Sequence, residues 1–165
     1  MTLRQCFCFT VVPLLASLLL LSPGLTGGFA FDDLNNIARN DAVKVDNLRP
    51  ETLLRAALST ESGPLRRPIA MVSFAANYYY SGFSLWSWKL TNIVIHGLAS
   101  GGVALLAWTM TGTGSRFGTG VTQTQRYWGA LAAGSLFAVH PFNLSPALYI
   151  VQRMTSLSAL FLFLS

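Results

Sequence analysis

The chain has 165 residues, 52% of them hydrophobic and only 10% charged, with a net charge of +5. Soluble domains carry about 25% charged residues, so this balance excludes an ordinary soluble domain and points to an all-α integral membrane protein. The basic residues are scattered, with no stripe and no aromatic RNA-binding motif, which excludes nucleic acid as a partner and leaves membrane lipid as the expected one.

The first apolar run, residues 6–25, follows a short head bearing Arg4 and no acid. At about 20 residues it reaches roughly 30 Å as a helix, enough to span. A basic start, an apolar run and the break at Ser22-Pro23-Gly24 equally fit a cleaved secretory signal. Either reading places residue 26 onward outside the cytoplasm. Cys6 and Cys8 lie in this run on different helix faces, where they read as small apolar fillers and not as a bridge.

Residues 26–87 form the long extracytoplasmic loop. All 6 acidic residues of the chain fall here, at positions 32, 33, 41, 46, 51 and 61. The stretch from Gly28 to Asn40, GFAFDDLNNIARN, holds the adjacent pair Asp32-Asp33 directly after the first apolar run, flanked by Phe29 and Phe31. Two interfacial helices are expected in the loop. Pro50-Glu51 suits a helix start, with Leu53, Leu54, Ala57 and Leu58 as its apolar face, and Ser62-Gly63-Pro64 ends it. From Pro68 to Tyr80, Ile69, Val72, Ala76 and Tyr79 form one side, with Phe74 and Tyr78 on another. Tyr78, Tyr79, Tyr80, Trp86 and Trp88 make the aromatic cluster expected at a membrane interface.

The second span covers 88–110. Its stretch from Leu90 to Met110 carries no formal charge, and Gly97, Gly101 and Gly102 permit close helix contact. Residues 111–127 hold Arg116 and Arg126 without an acid, a cytoplasmic loop by the positive-inside rule. A third span is expected over 128–142 and a fourth over 145–165, the last interrupted by Gln152-Arg153. That makes about four spanning helices with the loop helices lying on the membrane.

The order FDDLNNIARN, SGPLRRPIAMVSFAANYYYSG, KLTNIVIHGL and FAVHPFNLSPALYIVQRMTSLSALF resembles the amino-terminal part of the GT-C membrane glycosyltransferases that carry a carboxy-terminal tetratricopeptide array. These are bacterial relatives of the transmembrane and TPR-containing O-mannosyltransferases. The resemblance covers about residues 5–165. It implies an inner-membrane enzyme using a polyprenyl-phosphate sugar as donor and a protein hydroxyl or glycan as acceptor. The family's acidic pair matches Asp32-Asp33, its Arg-Pro matches Arg67-Pro68, its Asn and His match Asn92 and His96, and its His-Pro matches His140-Pro141.

Under that resemblance, Asp33 and Asp32 are the candidate catalytic carboxylates, Asp33 slightly ahead of Asp32, one to take the acceptor's proton. The alternative chemical role is to hold a divalent cation on the donor phosphate, and the plain structural reading is a helix cap. Arg66 and Arg67 are candidates for the lipid phosphate, since guanidinium grips phosphate in a fork; plain headgroup contact is the alternative. Arg153 joins them as a lipid-phosphate candidate, and a charge at its depth is expected to face the bundle interior. Asn92 and His96, four residues apart on one helix face, are supporting groups or a packing pair. His140, before a proline, is supporting or a simple cap. Asn143-Leu144-Ser145 is a weak glycosylation sequon close to the membrane.

Two features depart from the family. Ser145-Pro146 stands where eukaryotic relatives carry Thr-Glu. The chain also stops within its fourth helix, whereas the family continues through many more. The expectation is therefore an inactive fragment needing the missing downstream helices. The rival reading is a small non-catalytic membrane protein that assembles with partner helices.

Overall fold

The computed structural model describes residues 1–30, 32–60, 67–112 and 120–165, all of which are helix, turn or loop without a strand. Phe31, Arg66, the Ser62-Gly63-Pro64 break and Arg116 fall outside the described residues. The main helices are α1 (Leu3–Leu21), α2 (Pro50–Ala57), α3 (Pro68–Ser81), α4 (Leu85–Met110), α5 (Gln123–Val139), α6 (Leu144–Leu148) and α7 (Arg153–Leu164). A 3₁₀ segment, Ser22–Thr26, extends α1, and one wide π-type turn, Leu34–Ala38, follows the acidic pair. Two stretches are long and apolar enough to cross a membrane, Leu3–Thr26 and Leu85–Met110; a third counts if the bent pair Pro141–Leu148 and Arg153–Leu164 is one span. The outcome is an all-helical membrane protein with two or three such segments.

The helix starts follow local chemistry. Thr2 and Thr122 each build a capping box, with Gln5 and Gln125 respectively at the third helical position. Pro50 and Pro68 open α2 and α3, where a missing N–H is harmless.

α4 is the central post, packing against α1, α5 and α7. Glycines let the posts approach. A Cβ at Gly97 would lie 2.9 Å from the Leu14 Cα of α1, and one at Gly134 of α5 would lie 2.7 Å from the Ser100 carbonyl oxygen of α4. Such backbone-to-backbone approach is how helices gain contact area where lipid supplies no hydrophobic drive.

The polar loop folds over one end of this bundle. Its core joins Ile37, Val43, Ala70, Met71, Phe74, Trp88, Ile150 and Met154, and full burial of a side chain of this kind is worth about 1.5–3 kcal/mol. The buried face of α3 is Ala70, Met71, Phe74 and Ala75, whereas Ile69 and Tyr79 point outward. Of the two sides marked out in the sequence, the one carrying Phe74 is therefore the buried one, and the Trp88 ring stacks on Phe74 at 5.9 Å. In α2, Ala56 and Ala57 are inside while Leu54 and Leu58 are exposed. Small residues sit where α2 packs on α3, and the leucines remain for a nonpolar surround.

The last segment is not one continuous helix over 145–165. Residues 149–152 break it, and the chain bends by 113° between Pro141–Leu148 and Arg153–Leu164. The cause is competition for backbone hydrogen bonds. Asn92 Nδ2 donates to the carbonyls of Tyr149 (2.7 Å) and Ile150 (3.2 Å), and Asp33 Oδ1 accepts from Val151 N (2.7 Å). These side chains satisfy groups that a straight helix would have paired internally, which is the condition for breaking a helix where water is scarce.

Candidate functional site

The acidic pair divides into two unlike residues. Asp33 is 1% exposed. Its Oδ2 accepts from Ala30 N at 3.1 Å and its Oδ1 from Val151 N at 2.7 Å. One carboxylate thus closes its own turn and pins it to the break between α6 and α7. Asp32 is exposed. Its backbone carbonyl receives Asn36 N and Asn36 Nδ2, each at 3.0 Å, and its side chain lines a cleft of about 210 Å³ with Ala30, Ser145, Tyr149, Val151 and Gln152. The cleft is bounded on one side by the acidic turn and on the other by the broken segment. Asp33 holds the walls together, and Asp32 is the carboxylate presented to what enters.

Arg153 does not reach toward a lipid phosphate. Its side chain is fully buried. Nε donates to Asn92 Oδ1 (2.7 Å), Nη1 to the carbonyl (3.1 Å) and hydroxyl (3.4 Å) of Ser73, and Nη2 to Asn77 Oδ1 (2.8 Å) and the Trp88 carbonyl (3.0 Å). The guanidinium carbon lies 4.7 Å from the Phe74 ring centre and 5.6 Å from that of Trp88. All the N–H groups of an arginine are thereby used, so the lipid-phosphate role expected of Arg153 is corrected to that of an internal rivet joining α3, α4 and α7. Its interior position agrees with the cost of exposing a charge to lipid.

Arg67 is placed differently. It is exposed, sits in the left-handed region at φ 42°, and donates from Nη1 to Met154 Sδ at 3.2 Å. It stands at a groove of about 230 Å³ whose other walls include Ile69, Ala70, Leu157 and Phe161. A cation at the mouth of an apolar groove suits an amphiphile with an anionic head. Met154 lines this groove and Val151 lines the acidic cleft; three residues span at most about 11 Å, so the two features share one turn.

Asn92 and His96 lie on one face of α4 but serve different neighbours. Asn92 shapes the break, as described, while His96 Nε2 sits 3.0 Å from the Ala138 carbonyl of α5. His140 is exposed, and its Nδ1 accepts from Phe142 N at 3.3 Å, capping the short turn after α5. It lies outside the lining of the cleft.

Lys89 carries a role the sequence reading passed over. It is 5% exposed, donates from Nζ to the Gly24 carbonyl at 3.1 Å, and lies near enough to Asp33 to interact with its charge. A Cβ at Gly27 would come within 2.6 Å of Nζ. Lys89, Asn92 and His96 recur at i, i+3 and i+7, one helix face, and that spacing was the available signal. Ser73 and Asn77, the partners of Arg153, carried none.

For a divalent cation the donors fit poorly. Both Asp33 oxygens already take backbone N–H groups, and among the described residues no three His, Cys, Asp or Glu side chains come together.

No family model matches the chain, and no solved structure matches it. Curated relatives do, among them the following three. Protein O-mannosyl-transferase tmtc2 of Xenopus laevis is 31% identical over 158 residues, 90% of this chain and 17% of the relative. Protein O-mannosyl-transferase Tmtc1 of Drosophila melanogaster is 32% identical over 136 residues, 78% and 14%. Protein O-mannosyl-transferase TMTC2 of Homo sapiens is 28% identical over 151 residues, 86% and 16%. The chain spans no more than 17% of the length of these relatives. The similarity runs through nearly the whole chain and supports a relationship, at the level of the family, with the TMTC protein O-mannosyl-transferases.

Proposed function

We propose that the chain is the amino-terminal part of a membrane glycosyltransferase that takes its sugar from a polyprenyl phosphate, with Asp32 as the catalytic carboxylate. The observation that carries this reading is the pinned cleft: Asp33 locks the acidic turn to Val151, and Asp32 lines the space beside it. The names of the relatives add the class of reaction, transfer of mannose to a protein hydroxyl.

In this reading the acceptor hydroxyl enters beside Asp32. As its oxygen bonds to the anomeric carbon of the sugar, Asp32 takes its proton. The bond from the anomeric carbon to the phosphate oxygen breaks, and the electron pair leaves on the lipid phosphate. Arg67 holds that phosphate, with the prenyl chain along the groove formed by Ile69, Leu157 and Phe161. Arg66, next to it in sequence, is a second candidate for the same phosphate. The loop 26–87 faces the outside of a bacterial inner membrane. The isolated chain is inactive, because downstream helices complete the donor site.

The test is mannosyl transfer from polyprenyl-phosphate mannose in membranes bearing a full-length relative with this amino-terminal region. Asp32→Asn should abolish most turnover at normal protein level. Wild-type turnover by that variant refutes the assignment.

A further inference from the structure

At the end of the bundle away from the acidic cleft lies a second, larger cavity, of about 490 Å³, between the amino-terminal ends of α1 and α5. We propose that it binds the phosphate of an anionic phospholipid headgroup. α1 has 19 residues, which rise about 28 Å, so this cavity and Asp32 belong to opposite faces of the membrane. The inference is independent of the glycosyltransferase reading.

Arg4 is the cation of the cavity. It is exposed and makes no ion pair among the described residues. Around it stand the neutral donors of Gln5, Gln123 and Thr124, with Tyr127 and Trp128 as aromatic walls. No acid lines the space, and all 6 acidic residues of the chain lie between positions 32 and 61. The neighbouring Arg126 is turned inward: Nη1 donates to Gln123 Oε1 (3.2 Å), Nη2 donates to the Trp108 carbonyl (3.1 Å), and its guanidinium lies 4.2 Å from the Trp108 ring centre. It fixes the helix ends and raises the local positive potential without filling the cavity.

A soluble phosphate would use the same donors, yet the surroundings favour a lipid. Phe7 follows Arg4 by three residues, on the same helix surface, and is 65% exposed. Trp128 is 60% exposed, the position of an indole at headgroup level. A phosphate at Arg4 would therefore run its acyl chains down past Phe7, along surface that is already nonpolar.

The experiment is native mass spectrometry of the purified chain in detergent with equimolar phosphatidylglycerol and phosphatidylcholine. Phosphatidylglycerol should be retained about fivefold over phosphatidylcholine, the effect of roughly one surface cation on anionic lipid. Arg4→Gln and Gln123→Glu should bring the ratio near parity, Arg4→Lys should keep most of it, and Arg39→Gln in the outer loop should leave it unchanged. Parity in the wild type, or an unaltered preference in both Arg4→Gln and Gln123→Glu, overturns the proposal. Displacement of phosphatidylglycerol by millimolar inorganic phosphate overturns the lipid assignment and makes the cavity a site for free phosphate.

Discussion

Asp33 and Val151 stand 118 residues apart in the chain and are joined by a hydrogen bond of 2.7 Å. The carboxylate accepts a backbone N–H that a straight helix would have paired with Ala147. The acidic turn and the broken helix are thus one structural unit, and neither shape is complete without the other.

Asp33→Ala should consequently destabilise the fold and leave the Ala30 and Val151 N–H groups unpaired. Hydrogen bonds to charged groups contribute about 1.5–3 kcal/mol each, so a loss of several kcal/mol is expected. Thermal unfolding in detergent, followed by helical circular dichroism, measures it. A midpoint equal to wild type would show that the turn holds without the carboxylate.

The hydrogen bonds of Arg153 reach α3, α4 and α7 at once. Arg153→Lys keeps the charge but cannot span five acceptors with three donors, and Arg153→Met leaves those acceptors unpaired. Both should cost several kcal/mol, since each buried acceptor left unpaired costs about 1–3 kcal/mol. Limited proteolysis in the loop 26–87 should speed up in both. If Arg153→Met proves as resistant as wild type, the network is dispensable.

Glycine packing gives a sharper contrast. Gly97→Ala drives a Cβ to 2.9 Å from the Leu14 Cα, while a Cβ at Gly129 meets nothing within 4 Å. Overpacking costs about 1–3 kcal/mol, whereas alanine for glycine in a helix gains up to about 1 kcal/mol. Gly97→Ala should lower the unfolding midpoint and Gly129→Ala should hold or raise it. The opposite order would mean that α1 and α4 pack less closely than described.

Much of this was legible in the residues, for identifiable reasons. The apolar runs at 6–25 and 88–110 announced the two long apolar helices, Leu3–Thr26 and Leu85–Met110, because bilayer thickness fixes how long such a run must be. The glycines of α4 announced close contact. The polar pair Gln152-Arg153 marked an interruption near here, but the bend at 149–152 was not legible, since its cause lies in Asn92 and Asp33, far off in sequence. For the same reason Arg153 read as a substrate ligand: four partner residues scattered from Ser73 to Asn92 leave no local pattern. Which face of α3 is buried was not legible, because Ile69 and Tyr79 are as apolar as the residues that are buried. Contact with the cluster of Ile37, Val43, Trp88, Ile150 and Met154 distinguishes them.

The two aspartates give the last and most discriminating prediction. Asn for Asp keeps size and some hydrogen bonding, but it can neither accept a proton usefully nor carry charge. At Asp33 the change weakens two bonds to backbone N–H groups, so stability should fall and activity should fall with it. At Asp32, which is exposed on the cleft, stability should be unaltered. A well-placed general base is worth about 10²- to 10⁴-fold in rate, so Asp32→Asn should lose turnover by that factor at an unchanged unfolding midpoint. The measurements are mannosyl transfer and thermal unfolding on both single variants of a full-length relative at matched expression. If Asp33→Asn loses rate without losing stability while Asp32→Asn keeps both, the catalytic assignment moves to the buried residue. If both variants keep wild-type rates, the pair is a structural turn and the cleft has another use.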